Sequence, residues 1–133
     1  MKIEDIEGIG AKFAEKMKAA AVQTTEDLLE KGGTSAGRAA LAAAVELTEK
    51  QILEWVNRAD LYRIKGIGSE YADLLEAAGV DTVMELARRD ANNLFEKLKA
   101  TNDEKKKVRD LPSADQVAKW VEQAKSLPRA VEY

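Results

Sequence analysis

A chain of 133 residues with 21 basic and 24 acidic side chains, net charge −3, is long enough for one buried core or two small lobes. Its charge gives no general attraction to a polyanion. With no cysteine and no histidine, disulfides, thiol nucleophiles and the common zinc sites are excluded, and acid-base chemistry near neutral pH would need a strongly shifted carboxylate or lysine.

In chain order, Ile3 to Ile6 reads as a short helix or turn leading into Ile6-Glu7-Gly8-Ile9-Gly10. Two glycines around one apolar residue suit a tight turn whose central Ile9 plugs into the core. After Gly10, the residues Phe13, Ala14, Met17, Ala20 and Ala21 recur at helical spacing and predict a helix over about 11–20. A bend at 21–23 precedes a helix from Thr25 to about Lys31, which Thr24 can cap with Asp27 three residues on. Gly32-Gly33 is a stop signal. Residues 35–46 predict an alanine-rich helix carrying Leu41 and Val45, and its small side chains on several faces place it between other helices. Thr48-Glu49-Lys50-Gln51 is a capping box for a helix with the apolar stripe Ile52, Leu53, Trp55, Val56 and Ala59.

The pattern then returns. Residues 61–89 laid over 3–31, an offset of 58, match at Ile6/Ile64, Gly8/Gly66, Ile9/Ile67, Gly10/Gly68, Ala14/Ala72, Ala19/Ala77, Ala20/Ala78, Val22/Val80, Thr24/Thr82 and Leu28/Leu86. Phe13/Tyr71, Met17/Leu75 and Asp27/Glu85 agree in kind. Gly79 stands where Ala21 does; glycine accepts a left-handed conformation freely and alanine does not, so the two bends are expected to differ. Asp90 can cap a helix holding Leu94, Phe95 and Leu98, and Thr101-Asn102-Asp103 reads as a break. Ser113 with Gln116 forms a second capping box, ahead of Val117, Trp120, Val121 and Ala124. Beyond Pro128 the tail either frays or tacks on through Val131 and Tyr133.

These elements predict an all-α protein of about eight to ten short helices in two similar halves, 1–60 and 61–133, packed as one compact domain. The expected core is Ile6, Ile9, Phe13, Met17, Leu28, Leu41, Trp55, Ile64, Ile67, Tyr71, Leu75, Leu86, Leu98 and Trp120, with each tryptophan anchoring its own half. No segment approaches about 18 uncharged apolar residues and no signal peptide is evident, so the expectation is a cytoplasmic protein without a membrane partner.

Ile6 to Met17 and Ile64 to Leu75 resemble the helix-hairpin-helix family, whose signature is an apolar residue, a Gly-hydrophobic-Gly turn and a helix with a small and then a large inward residue. The order of segments over nearly the whole chain also resembles a bacterial helical domain family of unknown function (DUF4332-like) in which such hairpins are embedded. The first resemblance implies contact with the backbone of DNA or RNA, and a monovalent cation held by carbonyls of the turn.

In that geometry the amides of Gly8, Ile9, Gly10 and the first helical turn, and of Gly66, Ile67, Gly68 and Ser69, would face outward and donate to a phosphate oxygen. Lys12 and Lys65 would reinforce them, with Ser69 as a cap. Glu7 and Glu70 would oppose an anion. A basic stretch, Arg88, Arg89, Lys97, Lys99, Lys105, Lys106, Lys107 and Arg109, sets eight basic residues against four acidic ones, a local +4. No element suited to reading bases is evident. The serines have no histidine to activate them, and the Gly-x-Gly turns lack the lysine of a phosphate-binding loop, so the expectation is a non-catalytic protein without cofactor or metal. The rival expectation is a protein-protein interaction or scaffold module that binds no nucleic acid and self-associates through the alanine-rich helix or the segment near Phe95.

Overall fold

The structure, a computed structural model, describes residues 1–6 and 8–133; the expected repulsion of an anion by Glu7 lies outside the described residues. The fold is all-helical. A short 3-10 helix, Ile3–Asp5, is followed by α1 (Ala11–Ala19), α2 (Thr25–Gly32), α3 (Ser35–Val45), α4 (Glu49–Leu61), α5 (Ser69–Ala77), α6 (Val83–Ala87), α7 (Ala91–Lys105) and α8 (Ala114–Ser126). The only β-bridge among the described residues is an isolated antiparallel one between Lys2 and Thr24, which ties the first residues to the bend before α2. The chain divides into two units, Met1–Asp60 with Arg129–Tyr133, and Leu61–Pro128.

Side-chain caps set most helix starts. Thr24 accepts from the Asp27 amide at 3.1 Å while the Asp27 carboxylate accepts from the amides of Gln23 and Thr24, closing the expected box. At the matching position Thr82 accepts from the Glu85 amide, but the Glu85 carboxylate turns to Arg89 at 3.0 Å. Ser113 and Gln116 close a reciprocal box at α8, Thr48 accepts from the Gln51 amide, and Asp90 caps α7.

In the first unit, Ile3, Ile6, Ile9, Met17, Val22, Leu28, Leu41, Val45, Ile52, Trp55 and Val56 are buried. In the second, α6 and α7 pack on α8 and α5 packs on α7, around Leu61, Ile64, Ile67, Leu75, Leu86, Leu98, Val117 and Trp120. Phe13 and Tyr71, expected in the core, are half-buried instead, because each lies against the edge of a buried tryptophan: Phe13 on Trp55 with ring centroids 5.7 Å apart, Tyr71 on Trp120 at 5.2 Å, both tilted.

Several local expectations are corrected. The two bends do not differ: Ala21 takes φ 65° and Gly79 φ 93°, and the Val22 and Val80 amides both donate at 2.8 Å, to Met17 and Leu75. Packing of the buried valine therefore holds an alanine in a conformation it disfavours. Gly32 and Gly33 end α2, yet Gly33 has a right-handed φ of −66°. Their lack of a side chain serves close approach, since a Cβ on Gly32 would meet Val56 Cγ2 at 2.7 Å and one on Gly33 would meet the Ala130 carbonyl oxygen at 2.6 Å.

Helix α3 is not enclosed. It buries one stripe, Arg38, Leu41, Ala42 and Val45, and leaves Ala36, Ala39, Ala40, Ala43 and Ala44 exposed. Thr101-Asn102-Asp103 is not a break either; α7 runs through it to Lys105 and stops at Lys106, φ 50°. There the Asn102 side chain clasps Val108, accepting from its amide at 2.9 Å and donating to its carbonyl at 3.2 Å.

The tail belongs with the first unit, whereas the sequence placed all of 61–133 in one half. Val131 is buried, and the Glu132 amide donates to the Gly33 carbonyl at 2.7 Å. Arg38, a buried cation that the alanine-rich context concealed, donates to the carbonyls of Gly32, Gly33 and Glu132.

Candidate functional site

Each Gly-Ile-Gly stretch forms the same turn. The Ile9 amide donates to the Ile6 carbonyl at 3.1 Å and the Ile67 amide to the Ile64 carbonyl at 3.2 Å. Gly8 and Gly66 occupy the third position with φ 93° and 99°, the region that a type II turn demands and a side chain resists. Ile9 and Ile67, each 4% exposed, point into the core as expected. Because the turn uses their amides internally, the expectation that the Ile9 and Ile67 N–H groups face a ligand is corrected.

The N–H groups that stay outside any helical bond lie one residue further on. The first helical bonds run from Ala14 to the Gly10 carbonyl and from Ala72 to the Gly68 carbonyl, both 2.9 Å. The first-turn amides of α1 and α5 therefore precede any intrahelical acceptor. Gly10 and Gly68 are the N-caps and supply no side chain to cover them, and a Cβ at either would meet nothing within 4 Å. Ser69 is not the cap expected for α5. It is the first helical residue, and its hydroxyl lies 3.1 Å from the Tyr62 hydroxyl.

The charges around the two turns differ. Helix α1 has no acid in its first turn and carries exposed Lys12 there, whereas α5 has exposed Glu70 at the equivalent place. Lys65 is exposed, and its amide donates to Gln123 Oε1 on α8 at 2.7 Å, a tether that only the fold reveals.

The basic stretch does not gather at one place. Arg89 donates to the Gly79 carbonyl, and Lys97 Nζ is 3.8 Å from where a Gly79 Cβ would stand, so both sit at the C-terminal end of α5, the end opposite the turn. The segment holding Lys107 and Arg109 returns to the other end, where the Tyr71 hydroxyl donates to the Asp110 carbonyl at 3.3 Å. Arg88, Lys99, Lys105 and Lys106 are exposed along α6 to α7.

Sequence reasoning treated both tryptophans as plain core anchors and missed their place at the turns. Trp120 Nε1 lies 3.1 Å from the position of a Cβ on Gly66, and Trp55 Nε1 3.5 Å from that on Gly8. The repeated spacing of Gly8 to Phe13 and Gly66 to Tyr71, with a Trp-Val pair closing each half, is the signal that was available. Elsewhere in the first unit a cavity of about 530 Å³ opens between the 3-10 helix, α1 and the bend, lined by Lys2, Glu4, Glu15 and Lys18 among others, with no excess of either charge. Among the described residues no group of three or more carboxylates could hold a metal ion, and no helix is long and apolar enough to cross a membrane.

The class these features define is an all-helical protein of two units, each with a glycine turn that ends on a glycine N-cap and opens a helix. The chain belongs to the family described as a domain of unknown function, DUF4332, whose model matches residues 7–127. Comparison with curated proteins and with solved structures finds no match.

Proposed function

We propose that this is a small non-catalytic protein of two duplicated helix-hairpin-helix units that binds a nucleic-acid backbone, DNA or RNA, without reading sequence. The observation that carries the reading is the pair of helix starts at Gly10 and Gly68, N-caps that make no side-chain hydrogen bond, each aligned by a left-handed glycine and a buried isoleucine. Helix N-termini favour anions through unpaired amides and the macrodipole. Lys12 strengthens the first turn and Lys65 the second, while Glu70 makes the second the weaker partner. Arg109 and Lys107 are the members of the basic stretch that the chain returns to the start of α5. The monovalent cation implied by the hairpin resemblance would share turn carbonyls such as Ile6 and Ile64, each left with one lone pair after accepting its amide.

Titration at about 50 mM salt against duplex, nicked and single-stranded DNA tests the reading. Binding should be insensitive to sequence, and with about two phosphates neutralised the logarithm of affinity should fall with the logarithm of salt at a slope of about −2. Absence of binding to all three below about 100 μM would end it.

A second reading, a protein-interaction module, is favoured by the exposed small-residue face of α3, Ala36, Ala39, Ala40, Ala43 and Ala44. Such a face permits close helix approach without needing an anion at the turns. Capture of protein partners that persist after nuclease treatment would support it, and a capture containing nucleic acid alone would defeat it.

A further inference from the structure

The last residues of the chain are held on the first unit in the way an extended peptide ligand is held. Both main-chain groups of Glu132 are engaged: its amide donates to the Gly33 carbonyl at 2.7 Å, and its carbonyl accepts from Arg38 Nη2 at 2.6 Å. One residue earlier the Val131 side chain is buried, and before it the Ala130 carbonyl oxygen lies 2.6 Å from where a Cβ on Gly33 would stand. The side chains of Glu132 and Tyr133 remain exposed. Main-chain bonds that supply affinity and one inserted side chain that supplies specificity are the pattern of peptide recognition. The acceptor is set without the tail. Arg38, 5% exposed, donates through Nη1 to the carbonyls of Gly32 and Gly33 at 3.0 and 3.1 Å, bonds that stay within residues 32–38. They fix the guanidinium at the corner between α2 and α3, so Nη2 is preorganised for an incoming carbonyl and little ordering remains to be done on binding. The tail, Arg129–Tyr133, has no helix or strand and one buried side chain in five, and it braces itself through the bond from Arg129 Nε to the Val131 carbonyl at 2.8 Å.

We propose that the α2–α3 corner, Gly33 with Arg38 and the seat of Val131, is an acceptor site for an extended peptide segment of a partner protein, closed in cis by this chain's own tail. The segment it fits carries a β-branched apolar residue followed by a residue whose side chain stays in solvent and whose N–H and C=O pair with Gly33 and Arg38. Gly33 is required there because any side chain would displace the carbonyl that precedes the apolar residue. The tail competes from the same molecule at an effective concentration on the order of 1 mM, the scale of a short tether, so a partner segment enters when the tail lifts. The site needs no anion and is independent of the nucleic-acid reading.

The test uses the full chain carrying Val131→Asp, which places a charge in the buried seat and releases the tail. The probe is a fluorescently labelled peptide with the sequence of residues 127–133, Leu-Pro-Arg-Ala-Val-Glu-Tyr. The variant should bind this peptide at least about ten-fold more tightly than the wild-type chain does, because the cis competitor is gone. The same peptide made with the Val131→Asp change should not bind, and in the ¹H–¹⁵N spectrum of the variant the added peptide should return the Gly33 and Gly37 amides toward their wild-type positions. A variant that stays folded, with a dispersed Trp55 indole peak, and takes no peptide up to about 2 mM, above the tethered concentration, overturns the proposal. Loss of that dispersion, or collapse of the first unit in Val131→Asp and in the milder Val131→Ala, would show that the tail is part of the core and not an occupant, and would overturn it as well. A dimer of the wild-type chain that Val131→Asp dissolves would assign the site to the tail of a second copy and overturn the partner assignment.

Discussion

Tyr71 lies with its ring 5.2 Å from that of Trp120, tilted by 56°, and in doing so joins the first turn of α5 to the helix that closes the second unit. Phe13 and Trp55 repeat the relationship at 5.7 Å and 55°. Edge contacts of this kind add about 0.5–1.5 kcal/mol beyond the area they bury. Tyr71→Leu should therefore cost about that much in chemical denaturation, with a further loss from the hydrogen bond to the Asp110 carbonyl.

Ile67→Ala should be among the more damaging substitutions in the second unit. The side chain is 4% exposed at the centre of the turn, and its truncation should cost about 2–4 kcal/mol. A loss below about 0.5 kcal/mol by urea denaturation would show that the turn does not depend on its central residue.

The glycines of one turn should respond in opposite ways. Gly66→Ala places a methyl 3.1 Å from Trp120 Nε1 on a backbone with φ 99°, and should cost about 1–3 kcal/mol. Gly68→Ala meets open space at an ordinary φ of −101° and should stay within about 0.5 kcal/mol of wild type. Equal losses at the two positions would contradict the geometry.

Ala21 offers a gain. At φ 65° an alanine is strained by about 1–2 kcal/mol, while glycine gives back about 0.4–1 kcal/mol through a looser unfolded chain. Ala21→Gly should stabilise by about 0.5 kcal/mol, and the reverse change, Gly79→Ala, should destabilise by a similar amount. Thermal melts of the pair decide it.

Asp27 sets part of the acid limb of stability. Amides of Gln23, first, and of Thr24 hold its carboxyl below the ordinary value of 3.8. Since the folded pKa is the lower one, its contribution is present in full above that ordinary value and disappears as pH falls from there through the folded pKa. Asp27→Asn should flatten the decline of melting temperature below about pH 4 relative to wild type, and an unchanged slope would exclude the role.

The helices, their caps and the turn glycines were legible because each is written in residues no more than about four apart. Thr24 with Asp27, Ser113 with Gln116 and the 3.6-residue apolar stripes carry their own instructions, and Gly8 and Gly66 announce a conformation that other residues resist. What tertiary structure alone decided depends on partners far along the chain. Burial of Val22 and the amide bond to Met17 overrule the propensity of Ala21, and α7 continues through Thr101 to Asp103 because the Asn102 side chain finds Val108 beyond the helix end. Gly33 admits Ala130, and Arg38 reaches Glu132, 94 residues away. Trp120 reads as a core residue from its own helix; its place beside Gly66 exists only once α8 has packed against the second turn. Local pattern sets the elements, since hydrogen bonding and rotamer freedom act over one helical turn. Long-range packing chooses which atoms meet, since the free energy of burial is gained only when distant segments come together.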